Sequence, residues 1–254
     1  MKQLHYRTIG EGKPLFILHG LFGSSDNWQT LGKRFGEYFK VYLVDQRNHG
    51  KSFHSDEFNY DVMVKDLYQL VKDVGEEEIN IIGHSMGGKT AIGFAAEHPD
   101  LMNKLVVADI SYKEYPLHHD AIIDAMESLD LENIKSRSEA DEAMAKDIDN
   151  WAVRQFLLKN LYWKEKGRLD WQINLPVLVE KMPNIVAEIP FDTIDSNTLF
   201  IRGGNSNYIL KSDFEDIHKK FPFSDIYTLE DAGHWVHAES PDEFYNRVMR
   251  FLLL

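Results

Sequence analysis

Short apolar runs alternate with helix-period stretches along most of this chain. Leu15-Phe16-Ile17-Leu18, Val41-Tyr42-Leu43-Val44, Ile79-Asn80-Ile81-Ile82 and Lys104-Leu105-Val106-Val107-Ala108 each run into a glycine, an aspartate or a polar turn. Thr198-Leu199-Phe200-Ile201 and Ser224-Asp225-Ile226-Tyr227 repeat the pattern late in the chain. Near-continuous apolar runs of this length predict strands buried on both faces, as in a mostly parallel central sheet flanked by helices. Helices fill the intervals. Val64, Leu67, Leu70, Val71 and Val74 share one face of a helix predicted over Val62 to Val74, with Gly75 as its stop. Ser24-Ser25-Asp26 offers caps to another helix, and Pro99 ends the one that begins after Ser85.

From about Pro116 to about Pro190 the alternation lapses. This stretch reads as helical and charged on one side, and it carries Trp151, Phe156, Leu157, Leu161, Trp163 and Trp171. Strands resume at Thr198, so the stretch is an insertion between two late strands, which ordinarily emerges where ligands bind. The expected organisation is an α/β core of residues 1–115 and 191–254 with a helical cap over 116–190. The alternative is a helical subdomain packed there for stability alone.

Composition narrows the classes. At 254 residues with 43% hydrophobic side chains, one domain with a substantial core is expected. The formal net charge of −13 would repel a phosphate backbone, which argues against nucleic acid as a partner. There are no cysteines, so disulfides and thiol chemistry are excluded. Met1-Lys2-Gln3-Leu4-His5-Tyr6-Arg7 lacks the apolar stretch of a signal peptide, and no run has the length of a membrane span. A soluble, cytoplasmic protein is expected, with no signal for an oligomeric state.

The sharpest motif is Gly83-His84-Ser85-Met86-Gly87-Gly88, a G-x-S-x-G between a predicted strand and a predicted helix. A serine on so tight a turn is strained, and glycines two residues to either side remove clashes with neighbouring backbone. The helix N-terminus behind it favours developing negative charge. A rival occupies the same residues: Gly83 to Thr90 fits the phosphate-binding pattern G-x-x-x-x-G-K-[ST], with Asp109 in the place of a magnesium ligand. That rival gives no role to His19-Gly20 or to Gly233-His234, and it expects its loop at an earlier strand. On the hydrolytic reading, Lys89 is an exposed helix residue.

Acyl transfer by serine needs a base, an acid to orient it and donors for the oxyanion. His234, in the late loop Asp231-Ala232-Gly233-His234-Trp235, is the candidate base, with His237 the weaker one. The usual place for the acid is the turn Gly203-Gly204-Asn205-Ser206-Asn207-Tyr208, which has no carboxylate. Asp109, at the end of the strand after the nucleophile, preserves the order Ser, Asp, His. Asp213 is the runner-up, although Lys211-Ser212-Asp213 reads better as a helix start. Candidate oxyanion donors are the backbone N–H groups of Met86 and of Leu21, in His19-Gly20-Leu21-Phe22-Gly23. Phe22, Trp235, Trp151, Phe156 and Trp163 are candidate substrate contacts. His19 and His84 read as structural hydrogen-bonders, and Arg47 and His49 as braces of the loop after Asp45. This chemistry requires neither metal nor organic cofactor.

With these residues in hand, the chain resembles the YbfF-type esterases of the α/β-hydrolase superfamily. The shared segments are HGLFGSSDNW from His19, DQRNHGKS from Asp45, GHSMGGK from Gly83, GGNSNY from Gly203 and AGHWVHAE from Ala232. The resemblance implies a carboxylesterase for short- to medium-chain acyl esters, with acyl thioesters such as acyl-CoA as a further class. It also implies a triad acid after the strand that follows the nucleophile, in favour of Asp109. The cap segment Asp170-Trp171-Gln172-Ile173-Asn174-Leu175 follows the family pattern more loosely, which leaves acyl-chain preference open. Alternatives within the fold are C–C hydrolase, lyase, acyltransferase or perhydrolase chemistry. A non-catalytic ligand receptor and the nucleotide-binding reading stand outside it.

Overall fold

The computed structural model describes residues 2–117 and 119–254. Among the described residues nine strands form in chain order: β1 Tyr6–Ile9, β2 Lys13–Leu18, β3 Phe39–Val44, β4 Ile79–His84, β5 Met102–Ala108, β6 Leu161–Glu165, β7 Arg168–Trp171, β8 Asn197–Gly203 and β9 Ser224–Leu229. Seven build one sheet in the order β1-β3-β2-β4-β5-β8-β9. Only β1, at one edge, is antiparallel to its neighbour; the other pairings are parallel. All six predicted strands are present in it.

The helices are α1 Gln29–Phe35, α2 Tyr60–Val74, α3 Met86–Glu97, α4 Asp120–Glu127, α5 Arg137–Met144, α6 Trp151–Leu158, α7 Leu175–Glu180, α8 Met182–Val186, α9 Phe214–Lys220, α10 Val236–Glu239 and α11 Pro241–Leu253. The Asn59 side chain accepts from Val62 N–H at the start of α2, and Gly75 ends it at φ 73°, where a side chain would be strained. Strand alternation then feeds two cores. Phe16 and Leu18 of β2 join Met63, Leu67, Ile92 and Phe94 from α2 and α3 on one face. Leu15 and Ile17 join Leu31 and Phe35 of α1 and Phe244 and Val248 of α11 on the other.

The segment between β5 and β8 departs from the helical expectation in one respect. Alongside α4 to α8 it holds an antiparallel hairpin, β6 and β7, that pairs Leu161 with Trp171. Its turn contains Gly167 at φ 79°. Among the described residues no helix is long and apolar enough to cross a membrane.

Candidate active site

The C-terminal ends of β2, β4, β5, β8 and β9 lie side by side, which gathers their loops at one edge of the sheet. Ser85 occupies the single residue between β4 and α3 at φ 51°, ψ −119°. A non-glycine residue there costs about 1–3 kcal/mol, held in place only by its surroundings. Those surroundings explain the glycines. A Cβ on Gly83 would lie 2.3 Å from the Gly87 carbonyl oxygen, and one on Gly87 would lie 2.5 Å from that of Leu18. Ser85 N–H donates to Ala108 O at 3.1 Å, tying the turn to the end of β5.

Asp109 follows directly, also at positive φ (48°) and fully buried. Buried carboxylates need donors, and this one has three. Gly203 N–H donates to Oδ1 at 2.8 Å. His234 Nδ1–H donates to Oδ2 at 2.8 Å, and the Ser206 hydroxyl donates to that same oxygen. With Nδ1–H committed, Nε2 is left as the ring's proton acceptor. The Tyr208 ring stacks on the imidazole at 4.0 Å and 20°. His84 Nε2–H donates to the His234 carbonyl at 2.9 Å.

Asp213 is elsewhere. Its Oδ2 accepts from Lys113 Nζ at 2.5 Å and from Leu210 N–H at 2.7 Å, the geometry of a helix start. His237 is also set apart from the pair with Asp109: its ring stacks on Trp28 at 4.1 Å. Burial holds its imidazole down to about 3, with the neighbouring His234 adding to the shift.

The loop after β2 is pinned from two sides. Phe22, at φ 58°, donates its N–H to His49 Nε2 at 3.2 Å and receives Asn160 Nδ2–H on its carbonyl at 2.7 Å. His49 in turn donates Nδ1–H to Arg47 O, and burial first of all keeps the ring neutral, down to about 3. Arg47 holds Asp66 through two nitrogens at 2.5 and 2.9 Å, so it braces the loop as expected. His19 donates Nδ1–H to Gly20 O and accepts Gln46 N–H at Nε2. Burial lowers its proton affinity too, against the pull of Asp45.

A cavity of about 230 Å³ opens at Ser85, and His234, Leu21, Phe22, Phe156 and Trp235 are in its wall. Trp151 and Trp163, also expected as substrate contacts, are not in that wall. Val153, Phe156 and Leu157 of α6 face the cavity at helical spacing, which leaves Trp151 on another face, lining an adjacent cleft. Trp163 lies on β6, whose residues beyond Leu161 are exposed, so helical spacing does not apply to it. Lys89 corrects the expectation of an exposed helix residue. It is 1% exposed and donates Nζ–H to the carbonyls of Val186 and Ala187, because α3 is buried on every side.

Residues missed by the sequence reading also stand here. Ser206 and Tyr208 were given no role there; the signals for them were the shared segment GGNSNY and a turn without its expected carboxylate.

Comparison with known proteins agrees with this fold. The family model described as the alpha/beta hydrolase fold matches residues 13–133. The sn-1-specific diacylglycerol lipase ABHD11 of Danio rerio is 39% identical over 254 residues, covering 96% of this chain and 79% of its own. Esterase YbfF of Escherichia coli is 35% identical over 240 residues, covering 94% and 92%. A solved structure of a marine microorganism esterase superposes with a TM-score of 0.96 at 42% identity, covering 99% of this chain and all of that one. Relatives of this identity and coverage make the chain a hydrolase of esterase or lipase type. It belongs to the α/β-hydrolase family.

Proposed function

We propose that this chain is a serine carboxylesterase for short- to medium-chain acyl esters, with acyl thioesters as a second substrate class. One observation carries the reading: His234, its Nδ1–H committed to Asp109, and Ser85, strained on its turn, share the wall of a single cavity. His234 Nε2 takes the Ser85 hydroxyl proton as Oγ attacks the ester carbonyl carbon. The backbone N–H groups of Leu21 and Met86 hold the oxyanion. Collapse breaks the bond to the leaving alcohol, which takes the proton back from His234. Water then enters and gives a proton to His234 as its oxygen attacks the acyl carbon; collapse breaks the bond to Ser85 Oγ, which takes that proton back from His234, releasing the acid and free Ser85. Asp109 stays ionised throughout and fixes the tautomer.

The wall of the cavity supports an apolar acyl group, with Phe22, Phe156 and Trp235 as its contacts. Residues 116–190 act as the cap, since Val153, Phe156 and Leu157 of α6 close one side of that cavity. Lys89, buried against two carbonyls, has no free ammonium to offer a nucleotide phosphate.

The test is hydrolysis of p-nitrophenyl butanoate together with labelling by a fluorophosphonate. Ser85→Ala is expected to lose both, with turnover down about 10⁶-fold. Labelling of Ser85→Ala, or turnover near that of the parent, would overturn the assignment.

A further inference from the structure

The hairpin β6–β7 is held firmly at its base and bare at its tip. Leu161 and Leu169 are both buried, Arg137 Nη2–H donates to Leu161 O at 2.5 Å, and Gln172 N–H closes on Asn160 O at 2.7 Å. Beyond that base every residue from Tyr162 to Arg168 is exposed. Trp163 pairs with Leu169 in the ladder, so it shares the face that anchors the base, yet it is 50% open to water. Tyr162, on the other face, is 37% exposed. The strand carries the turn roughly 15 Å away from Asn160, at about 3.4 Å per residue.

Charge at this hairpin runs against that of the chain. Over residues 159–170, Lys159, Lys164, Lys166 and Arg168 are set against Glu165 and Asp170 alone, in a protein of net charge −13. Lys164 pairs with Asp170 at 2.6 Å and Arg168 reaches Glu165 at 3.5 Å, so the surplus is Lys159 and Lys166. At physiological salt exposed charges are screened beyond about 8 Å, so a surface that meets the turn feels this surplus more than the distant acidic body.

We propose that the tip of this hairpin docks on an anionic lipid surface, with Tyr162 and Trp163 at the headgroup level and Lys166 and Arg168 among the headgroup charges. Phenol and indole rings combine an apolar body with a polar edge, which the membrane–water boundary accommodates better than water alone. Lysine and arginine lay their stems along that boundary and keep their charge at the anionic groups. Docking of this kind needs no spanning segment. The base of the hairpin ties it to the site: Asn160 donates Nδ2–H to the Phe22 carbonyl at 2.7 Å, and Leu157, three residues earlier, is in the wall of the cavity at Ser85. A docked hairpin therefore holds that cavity near a lipid surface, where apolar esters concentrate. Docking is independent of the hydrolytic step and stands whether or not Ser85 is the nucleophile.

The experiment is co-sedimentation with vesicles of phosphatidylserine and phosphatidylcholine in equal parts, beside vesicles of phosphatidylcholine alone. The parent is expected to bind the anionic vesicles at physiological salt and to leave them in ~1 M salt. Trp163→Ala should weaken binding about tenfold, whereas Trp163→Phe, which keeps a ring, should retain most of it. Lys166→Gln combined with Arg168→Gln should weaken it about thirtyfold. Ser85→Ala should bind as the parent does. Melting temperatures close to the parent's show that the variants are folded, and if Trp163→Ala is not, the double glutamine variant decides alone. No binding by the parent, equal binding to phosphatidylcholine alone, or binding untouched by the double glutamine variant would overturn the proposal. So would a dimer, seen by sedimentation velocity, that Trp163→Ala dissociates while vesicles are ignored; the hairpin would then be an interface between copies of this chain.

Discussion

The Lys89 ammonium donates to the Ala187 carbonyl at 2.5 Å, across the join between α3 and the segment that follows α8. A second donation reaches Val186 O at 3.2 Å, and the rings of Tyr115 and Tyr60 stand 4.9 and 5.8 Å away. Burial is the largest influence on this lysine and brings it down to about 7, with Glu188 and Glu114 pulling the other way. The unfolded chain keeps the proton to about 10.4. Between these values the unfolded state binds more protons, so stability must rise with pH. Relative to Lys89→Met, the parent is expected to gain about 1.4 kcal/mol per pH unit above pH ~7, by urea unfolding at a series of pH values. A constant difference would show that Lys89 keeps its proton in the folded state.

Asp109 and Asp213 separate cleanly by experiment. Asp109→Asn preserves shape but can present its amide to Nδ1, favouring the wrong imidazole tautomer, and about 10⁴-fold loss in kcat is expected. Asp213→Asn removes a partner of Lys113 and Leu210, so turnover should stay near the parent's. Steady-state hydrolysis of one ester by both variants checks this, and a dead Asp213→Asn beside an active Asp109→Asn would reverse the assignment.

How much of this was legible beforehand follows from burial. Strands buried on both faces leave long apolar runs, so β2 to β5 and β8 could be read directly, whereas edge strand β9 buries only Leu229 and was marked by Ile226 and Tyr227 alone. Edge strand β1, Tyr6-Arg7-Thr8-Ile9, spans only four residues with two adjacent polar ones at its centre and leaves little trace. Leu161, Trp163 and Trp171 were read into the helical stretch although they lie on β6 and β7, strands too short to leave an apolar run. Lys89 was misplaced because lysine is rarely buried. The run Ala91-Ile92-Gly93-Phe94-Ala95, apolar on every side of α3, carried the opposing signal. At the site, Ser85 and His234 were visible through the glycines their turns require. Ser206 and Tyr208 meet Asp109 and His234 through one hydroxyl and one ring face, which no spacing encodes.

Phe156 separates two spaces. The cavity at Ser85, about 230 Å³, and a neighbouring cleft of about 450 Å³ share Val153, Phe156 and Trp235, and the Phe156 and Trp235 rings stand 5.9 Å apart. An apolar cavity of about 150 Å³ holds one benzene, so the inner space suits a short or medium acyl chain. Phe156→Ala is expected to join the two. Two further buried methylenes are worth about 1.6 kcal/mol, so kcat/KM for a decanoate ester should rise about tenfold relative to the butanoate. Val153→Ala should move the same ratio less. A ratio unchanged in both variants would mean that longer chains leave by another route.

Among the described residues four buried imidazoles, of His19, His49, His84 and His237, bind protons less readily than usual, each chiefly because of burial. In the unfolded chain they take up protons near 6.5, where the folded state does not. Acid therefore favours unfolding: each group removes about 1.4 kcal/mol per pH unit below pH ~6.5 until its folded value is reached. The four effects act in the same direction, so stability is expected to fall as pH drops below ~6.5. His237 isolates one share of the effect. Its ring stacks on Trp28, and among the described residues its buried Nδ1 has no hydrogen-bond partner, so phenylalanine replaces it at little cost. His237→Phe should lose stability with acid more slowly than the parent, by about 1.4 kcal/mol per unit between pH ~6.5 and about 3. Parallel stability curves in urea would show that the folded protein already accommodates the His237 proton.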